Sequence, residues 1–578
     1  MTSYPKATHG QSRRSTRPRK RKSPWSKAQE EEAKEEEINN TSASSKKLSS
    51  ANVFDAEVNR SHAYKIIDFL SVFQTLAQLL ICRKCLKNVE FRESGIRGFG
   101  FKIVVLCSCG STQIESGPLI NTGYEINRRI VFVMRLLGIG QEGINIFAGL
   151  MDLGTGLSNS AYENIVKHVY DAVKFVFDAT CLKAVDEEKK LNEENGRPKS
   201  KFYVSGDGSW KKRGFTSLLG VVILIGNLTG KVIDLVIKSS ICKSCMSWKP
   251  KEGTDEYTEW YEKHEDECLL NHSGSSGKME VDSMKEMFSR SQEKYGVQYV
   301  NYIGDGDSKT FKAILDLNPY GNDCPVKKSE CVGHVEKRMG TRLRNVKKDK
   351  KLGGRGMLTD VLINKITRYY GLAIRRNTDS VQGMKKAIQA TLDHLTSTDE
   401  TPKHGNCPAG ADSWCKWRKA EAAGCAASFK HPPPLHPNVE KHLQPIFDDL
   451  SNDNLLERCL GGYTQNANEC FNSTVWRLSP KHIHSGAKIV CIAAYIAASI
   501  FNEGYNAVLM IMNKLDIEIG IQAHNFAIAK DEKRITTQNR RSYNSSKEAR
   551  TAHRMEMMAQ NEFYEEAEGL LYAPGIVD

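Results

Sequence analysis

The sequence predicts an α/β protein, a mixed-sheet core enlarged by helices. Three β-rich runs separated by glycine turns, Lys201–Gly206 (KFYVSG), Thr216–Ile225 (TSLLGVVILI) and Lys231–Lys238 (KVIDLVIK), have the pattern of an antiparallel meander. A polar insertion and a helix at Val281–Tyr295 lead to a fourth strand, Val297–Ile303 (VQYVNYI). Helical blocks flank these strands: residues 125–180 carry apolar positions at three- and four-residue spacing, and Leu358–Leu460 is mostly helical with a proline-rich break at His431–Pro437.

The chain has 578 residues, enough for three to five domains or one elaborated core at about 100–200 residues per domain. At 40% hydrophobic and 26% charged residues, wholesale disorder and coiled-coil or collagen classes are excluded. The longest nearly unbroken apolar run, Ile489–Phe501, is too short to cross a bilayer and reads as a buried helix, so no membrane is expected. No apolar stretch follows the basic residues near the N-terminus, which argues against secretion. The 16 cysteines are then expected to serve as metal ligands or to pack, rather than form disulfides.

Composition shifts divide the chain. Residues 1–60 read as a disordered tail with a basic cluster, Arg13–Lys22, and an acidic run, Glu30–Glu37. The basic cluster suits a nuclear import signal or a phosphate-binding arm, and equally a solvated tail. Residues 61–120 hold a helix (Tyr64–Leu80) and a first cysteine module, and residues 121–200 are helical, ending in a polar linker or helix end at 184–200. The sheet core spans 201–350 with an insertion at 241–280; 351–460 form a helical insertion, 461–515 further core helices, and 516–578 a polar helical tail.

Cys82-x₂-Cys85 and Cys107-x-Cys109 bracket a predicted β-hairpin (FRESGIRGFGFKIVVL), the Cys₄ arrangement of a zinc ribbon. Cys242, Cys245, Cys268 and His272 have zinc spacing too, with His264 able to replace one of them; this set reads as a structural staple. A third set, His404, Cys407 and Cys415, completed by Cys425 or His431, is irregularly spaced and suits either metal or buried thiols. Cys331 and His334 are placed either to join it across space or to brace a site by hydrogen bonds.

Asp207 and Asp305 each end a predicted strand next to glycine, where a carboxylate is presented with room for a ligand. Glu469 lies in the first turn of a predicted helix whose buried face is Phe471, Val475 and Trp476. A DG dipeptide alone is more often a turn. Two aspartates and a glutamate together, however, suit Mg²⁺ or Mn²⁺, and a two-metal phosphoryl-transfer site requires such a set. Asp307 competes with Asp305 for its place. Between Lys337 and Arg355 stand nine Lys/Arg and one acid, Asp349, in a helix predicted at Val335–Lys351. Lys337, Arg338, Arg342 and Arg344 suit a duplex backbone, with a solvated helix face as the alternative.

The motifs D-G-S-W at Asp207, Y-I-G-D-G-D-S-K around Asp305, C-V-G-H-V-E-K-R-M-G-T-R-L-R at Cys331–Arg344 and T-Q-N-x-N-E ending at Glu469 resemble the Mutator-like transposase domain. More broadly they are similar to the DDE transposases, in which a C-x₂-H follows the second aspartate and a helical insertion precedes the glutamate. The resemblance implies a ribonuclease H-like mixed sheet, with Asp207, Asp305 and Glu469 as catalytic Mg²⁺ ligands. It implies metal-dependent cleavage and transfer of double-stranded DNA, at transposon ends and at a target, by a homo-oligomer in the nucleus, with the zinc ions structural. A domesticated, catalytically silent DNA-binding or chromatin protein is the alternative; retention of all three acids argues against it. A 3′–5′ exonuclease would want an acid two residues after the first, and position 209 is Ser.

Overall fold

The computed structural model describes residues 42–49, 56–212, 217–305, 308–354, 356–411, 413–546 and 550. The N-terminal basic cluster and acidic run, Asp307 and Arg355 lie outside the described residues. Ser50–Asp531 form one compact unit; Met1–Ser49 and Glu532–Asp578 form a second, described here only in a short helix, Ala43–Ser49, and the last turns of a longer one.

In the larger unit, helix α1 (Phe69–Leu79) starts later than predicted, because the Asp68 carboxylate accepts from the Ser71 N–H and caps it there. Three antiparallel strands follow, β1 (Glu90–Arg97), β2 (Gly100–Cys107) and β3 (Gly110–Glu115). The expected hairpin thus gains a third strand. Its sequence, GSTQIE, is exposed at every position and shows no apolar alternation.

Helices α2 (Glu125–Leu136), α3 (Gln141–Leu150) and α4 (Asn159–Glu194) come next. The 36-residue α4 runs through most of the stretch expected as a linker. Its polar end stays helical because Glu188 is turned inward, where it accepts from the Leu228 and Thr229 N–H groups and the Thr229 hydroxyl. The break comes only at Asn195-Gly196, where Gly196 takes a positive φ.

The central sheet has β4 (Lys201–Trp210), β5 (Leu219–Gly226), β6 (Val232–Ser239), β7 (Gln298–Gly304) and β8 (Lys327–Glu330), in the order β8-β7-β4-β5-β6. β4, β5 and β6 pair antiparallel, as expected of a meander; β7 runs parallel to β4, and β8 parallel to β7. The sequence KKSE gave no sign of β8, a four-residue edge strand without a hydrophobic run. β5 (LGVVILIG) is buried at all eight positions, since helices cover both of its faces.

Between β6 and β7 come α5 (Asp255–His264) and α6 (Ser276–Tyr295); α7 (Ser308–Leu317) links β7 to β8. One sheet face packs on α6, through Met284, Met287 and Phe288. Beyond β8, α8 (Val332–Asp349), α9 (Asp360–Arg375), α10 (Val381–Thr396) and α11 (Pro437–Leu450) build their own core around Met339, Leu343, Tyr370 and Phe447. The chain then returns to the other sheet face as α12 (Asn466–Leu478), α13 (Ala487–Glu503) and α14 (Asn506–Lys514), which join α4 against β5 and β6. The apolar run predicted as a buried helix is α13. Helix α15 (Ile521–Ser545) follows. No single helix among the described residues is long and apolar enough to cross a membrane.

Candidate functional site

Helix α12 lies along β4 and is fastened to it turn by turn. Asn468 exchanges hydrogen bonds with Ser205, and Gln465 Nε2 donates to the Gly206 carbonyl at 2.7 Å. Asn472 Nδ2 donates to Asp207 Oδ2 at 2.7 Å, Trp476 Nε1 to Ser209 Oγ at 2.7 Å, and Lys211 Nζ to Ser479 Oγ at 3.0 Å. One helical turn rises about 5.4 Å and two strand residues about 6.6 Å. A stripe at four-residue spacing therefore keeps pace with alternate strand residues. Phe471, Val475 and Leu478 are buried beside this stripe, each contributing about 1.5–3 kcal/mol to holding the helix down. The opposite face of β4 is pressed against α6 and β7: a Cβ on Gly206 would come within 2.5 Å of Met284 and 2.6 Å of the Tyr302 ring, which leaves little room for a side chain before Asp207.

Burial, and after it the nearby Asp305 charge, push the Asp207 carboxyl up to about 6; the Gly208 N–H, His334 and Asn472 oppose this. Asp305 stands exposed just past β7, the strand beside β4, and its carbonyl accepts from Arg338 Nη2 at 3.2 Å. Glu469, in the first turn of α12, has Oε1 3.3 Å from Lys337 Nζ and 3.7 Å from His334 Nε2. His334, in the first turn of α8, also meets Gln465 Oε1 through Nδ1 at 3.1 Å. Its pKa is raised chiefly by a hydrogen bond to Cys331, so Cys331 and His334 work as a pair.

These contacts bring Asp207, Asp305 and, through His334, Glu469 into one neighbourhood. Among the described residues the three carboxylates do not form a set with all ligand atoms within 4.8 Å of one another. The donors are nevertheless those a hard divalent cation takes. After burial, the Asp305 charge is the next cause that raises the proton affinity of Asp207, so the two carboxylates lie within reach of each other's field.

A family model described as Mutator-like transposase matches residues 63–415, more than half of the chain. The chain belongs to the Mutator-like transposase family. No curated protein matches it. The stretch matched to the Mutator-like family includes Asp207, Asp305, Cys331 and His334, while Glu469 lies beyond it.

The basic helix of this Mutator-like transposase chain begins at Val332, earlier than predicted. Three of its four candidate DNA contacts hold carboxylates of the chain itself: Lys337 with Glu469, Arg338 with the buried Glu330 at 2.6 Å, and Arg342 with Asp449. Arg344 is exposed and has no ion pair among the described residues; the same holds for Lys348. Asn472, Gln465 and Glu330 were not anticipated as site residues. The available signal was the spacing of Asn468, Asn472 and Trp476, polar groups at four-residue steps on a helix docked by its apolar side.

Among the described residues, three Cys/His sets could hold a metal ion. Cys82, Cys85, Cys107 and Cys109 gather as expected, with 4.0 Å between the Cys82 and Cys109 sulfurs. The Ser108 hydroxyl and the Lys87 N–H pull the Cys85 thiol down to about 6, toward the thiolate that zinc takes.

The second set is Cys242, Cys245, His264 and Cys268, so His264 replaces His272. His264 Nε2 lies 3.3 Å from both Cys242 and Cys245. The last turn of α5 carries it there, whereas His272 is buried against α6, with Nδ1 3.3 Å from Asp282 and Nε2 3.1 Å from the Ser275 carbonyl. His264→Ser is expected to remove about one zinc per chain and His272→Ser none, measured by metal analysis; the reverse result would restore His272.

The third set is His404, Cys407 and Cys415, completed by His394 of α10 rather than by Cys425 or His431. Cys425 is exposed, and His431 pairs with Asp399 at 2.8 Å while its Nε2 meets the outer nitrogen of His404 at 2.9 Å. Cys331 and His334 join none of these sets.

Proposed function

We propose that this Mutator-like chain is a metal-dependent DNA transposase on a ribonuclease H-like core, cleaving double-stranded DNA at transposon ends and joining it to a target. The observation that carries the reading is the fastening of α12 along β4, which brings Glu469 to the same neighbourhood as Asp207 and Asp305 although 262 positions separate Asp207 from Glu469. A meander of three strands with two parallel strands added beside its first supports the fold assignment.

Divalent ions, when bound, would activate the attacking oxygen and stabilise the leaving one. Asp207, Asp305 and Glu469 would hold them. Asn472 keeps one Asp207 oxygen oriented, while Lys337 and His334 hold the Glu469 carboxylate in place. Arg338 ties the Asp305 backbone to buried Glu330 and so fixes the end of β7. The Cys/His sets serve as structural zinc sites. The nucleus is the proposed location, and a homo-oligomer on DNA the proposed assembly.

The test is Mg²⁺-dependent nicking of a duplex carrying the element's own ends. DNA binding without nicking under any divalent ion would leave a silent DNA-binding protein instead. On α8, neutralising Arg344 and Lys348 is expected to weaken binding equally for all sequences. The slope of log affinity against log salt should fall by about 0.9 for each lost phosphate contact. An unchanged slope in a salt titration would remove α8 from the interface.

A further inference from the structure

A cavity of about 730 Å³ opens beyond the end of β4, bordered by α2, the loop 479–486, the start of α13 and the zinc module that carries Cys242 and His264. Arg135, only 7% exposed, is one of its lining residues; its Nε is buried without a hydrogen-bond partner, and no carboxylate pairs with this guanidinium among the described residues. Lys211, likewise 7% exposed, donates only to neutral oxygens: the Ser479 carbonyl and hydroxyl, the Pro480 carbonyl and the Ser485 hydroxyl.

Two buried cations without an anion are costly unless a ligand supplies one. A third feature faces the same space. Helix α13, 17 residues long, begins here on Gly486 with no side-chain cap and no acid in its first turn, so its free N–H groups and positive dipole end meet the cavity. Lys212, Lys243, Lys481 and Lys488 add to the lining. Its carboxylates are Glu163 and Glu267, and Glu267 is already paired with Lys167.

We propose that this cavity binds a backbone phosphate of the DNA strand that passes the Asp207 site. The Arg135 guanidinium and free helix N–H groups border one space, and the Lys211 charge, held on neutral oxygens beside them, adds positive potential; such a lining suits a phosphate. The choice of a DNA phosphate over a free one rests on the transposase reading and on place. Lys211, one residue past β4, follows Asp207 by four residues, about 13 Å of extended chain, and points to the same α12-facing side. That span equals about four nucleotides of B-form rise at 3.4 Å each.

The test uses the full-length chain and a duplex, with binding followed across a salt series. Arg135→Gln is expected to lower the salt slope by about 0.9, and Arg135→Lys to restore most of it. Lys212→Gln, at an exposed position, should also lower the slope and keeps the test open if the buried Arg135 variant fails to fold. Slopes that match the parent in both Gln variants would overturn the proposal. Inorganic phosphate that raises the parent's Tm and loses that effect in Arg135→Gln, with the DNA slope unchanged, would reassign the cavity to a free phosphate. Asp207→Asn serves as the separate control: loss of nicking there tests the active site, while the slope tests the cavity.

Discussion

Asp207→Asn is expected to lower Mg²⁺-dependent strand cleavage by at least about 10³-fold while making the metal-free chain more stable. The first effect follows from losing one anionic ligand where bound ions supply several kcal/mol of transition-state stabilisation, each 1.36 kcal/mol being tenfold in rate. The second follows from the proton balance. Burial and Asp305 raise the Asp207 pKa to about 6, against 3.8 for the free group. Between roughly pH 4 and pH 6 the folded chain then binds more protons than the unfolded one, so stability falls as pH rises through that window. At pH 7, above both pKa values, the penalty is about 3 kcal/mol, a shift of about two units at 1.36 kcal/mol each. Asn removes the charge, and its carbonyl oxygen can still accept from Asn472. Nicking assays and thermal unfolding without metal check the two halves. Cleavage that persists would move the chemistry off Asp207, and a lower Tm would make Asp207 a structural residue.

Zinc removal is expected to loosen two separate modules, at residues 82–109 and 242–268, and to leave the β4–β5–β6 meander folded. Structural zinc supplies apparent folding free energy of about 10–16 kcal/mol in small peptides, more than any single apolar contact here. Both modules are poor in core: α1 and α5 contain no buried residue, so little besides the metal would hold them. β5, buried at every position, stands on its own packing. Limited proteolysis after chelation should therefore cut within these two segments first. Metal analysis of the purified chain should give at least two zinc ions, and a value below one would refute both sites. The third set adds one more if His394, His404, Cys407 and Cys415 are loaded.

What the sequence made legible was whatever local chemistry writes down. β4, β5, β6 and β7 were readable because β-rich runs end at glycines, and Asp207 and Asp305 because each stands beside one. β3 and β8 were not, since GSTQIE and KKSE owe their strand geometry to a neighbour's hydrogen bonds rather than to an apolar face. His264 and His272 stand the same number of residues before and after Cys268, and only the helix ending at His264 decides between them. His394 sits on α10, ten residues before its partner His404, with nothing local to mark it. The pairing of Arg338 with Glu330 turns a basic helix read as a DNA surface partly inward, because ion pairs between elements leave no pattern along the chain.

The bond between Asn472 and Asp207 joins residues 265 positions apart, so it closes a very long loop. The entropy of closing a loop rises only with the logarithm of its length, so doubling the chain between them would cost about 0.6 kcal/mol more. The helices α8 to α11, with their own core, are thus nearly free to grow or shrink as far as the carboxylates are concerned. Time is affected more than stability: such distant pairing forms slowly, after nearer contacts have repaid their own ordering. A refolding experiment should find the meander protected from hydrogen exchange well before the Asp207 neighbourhood, which would close last.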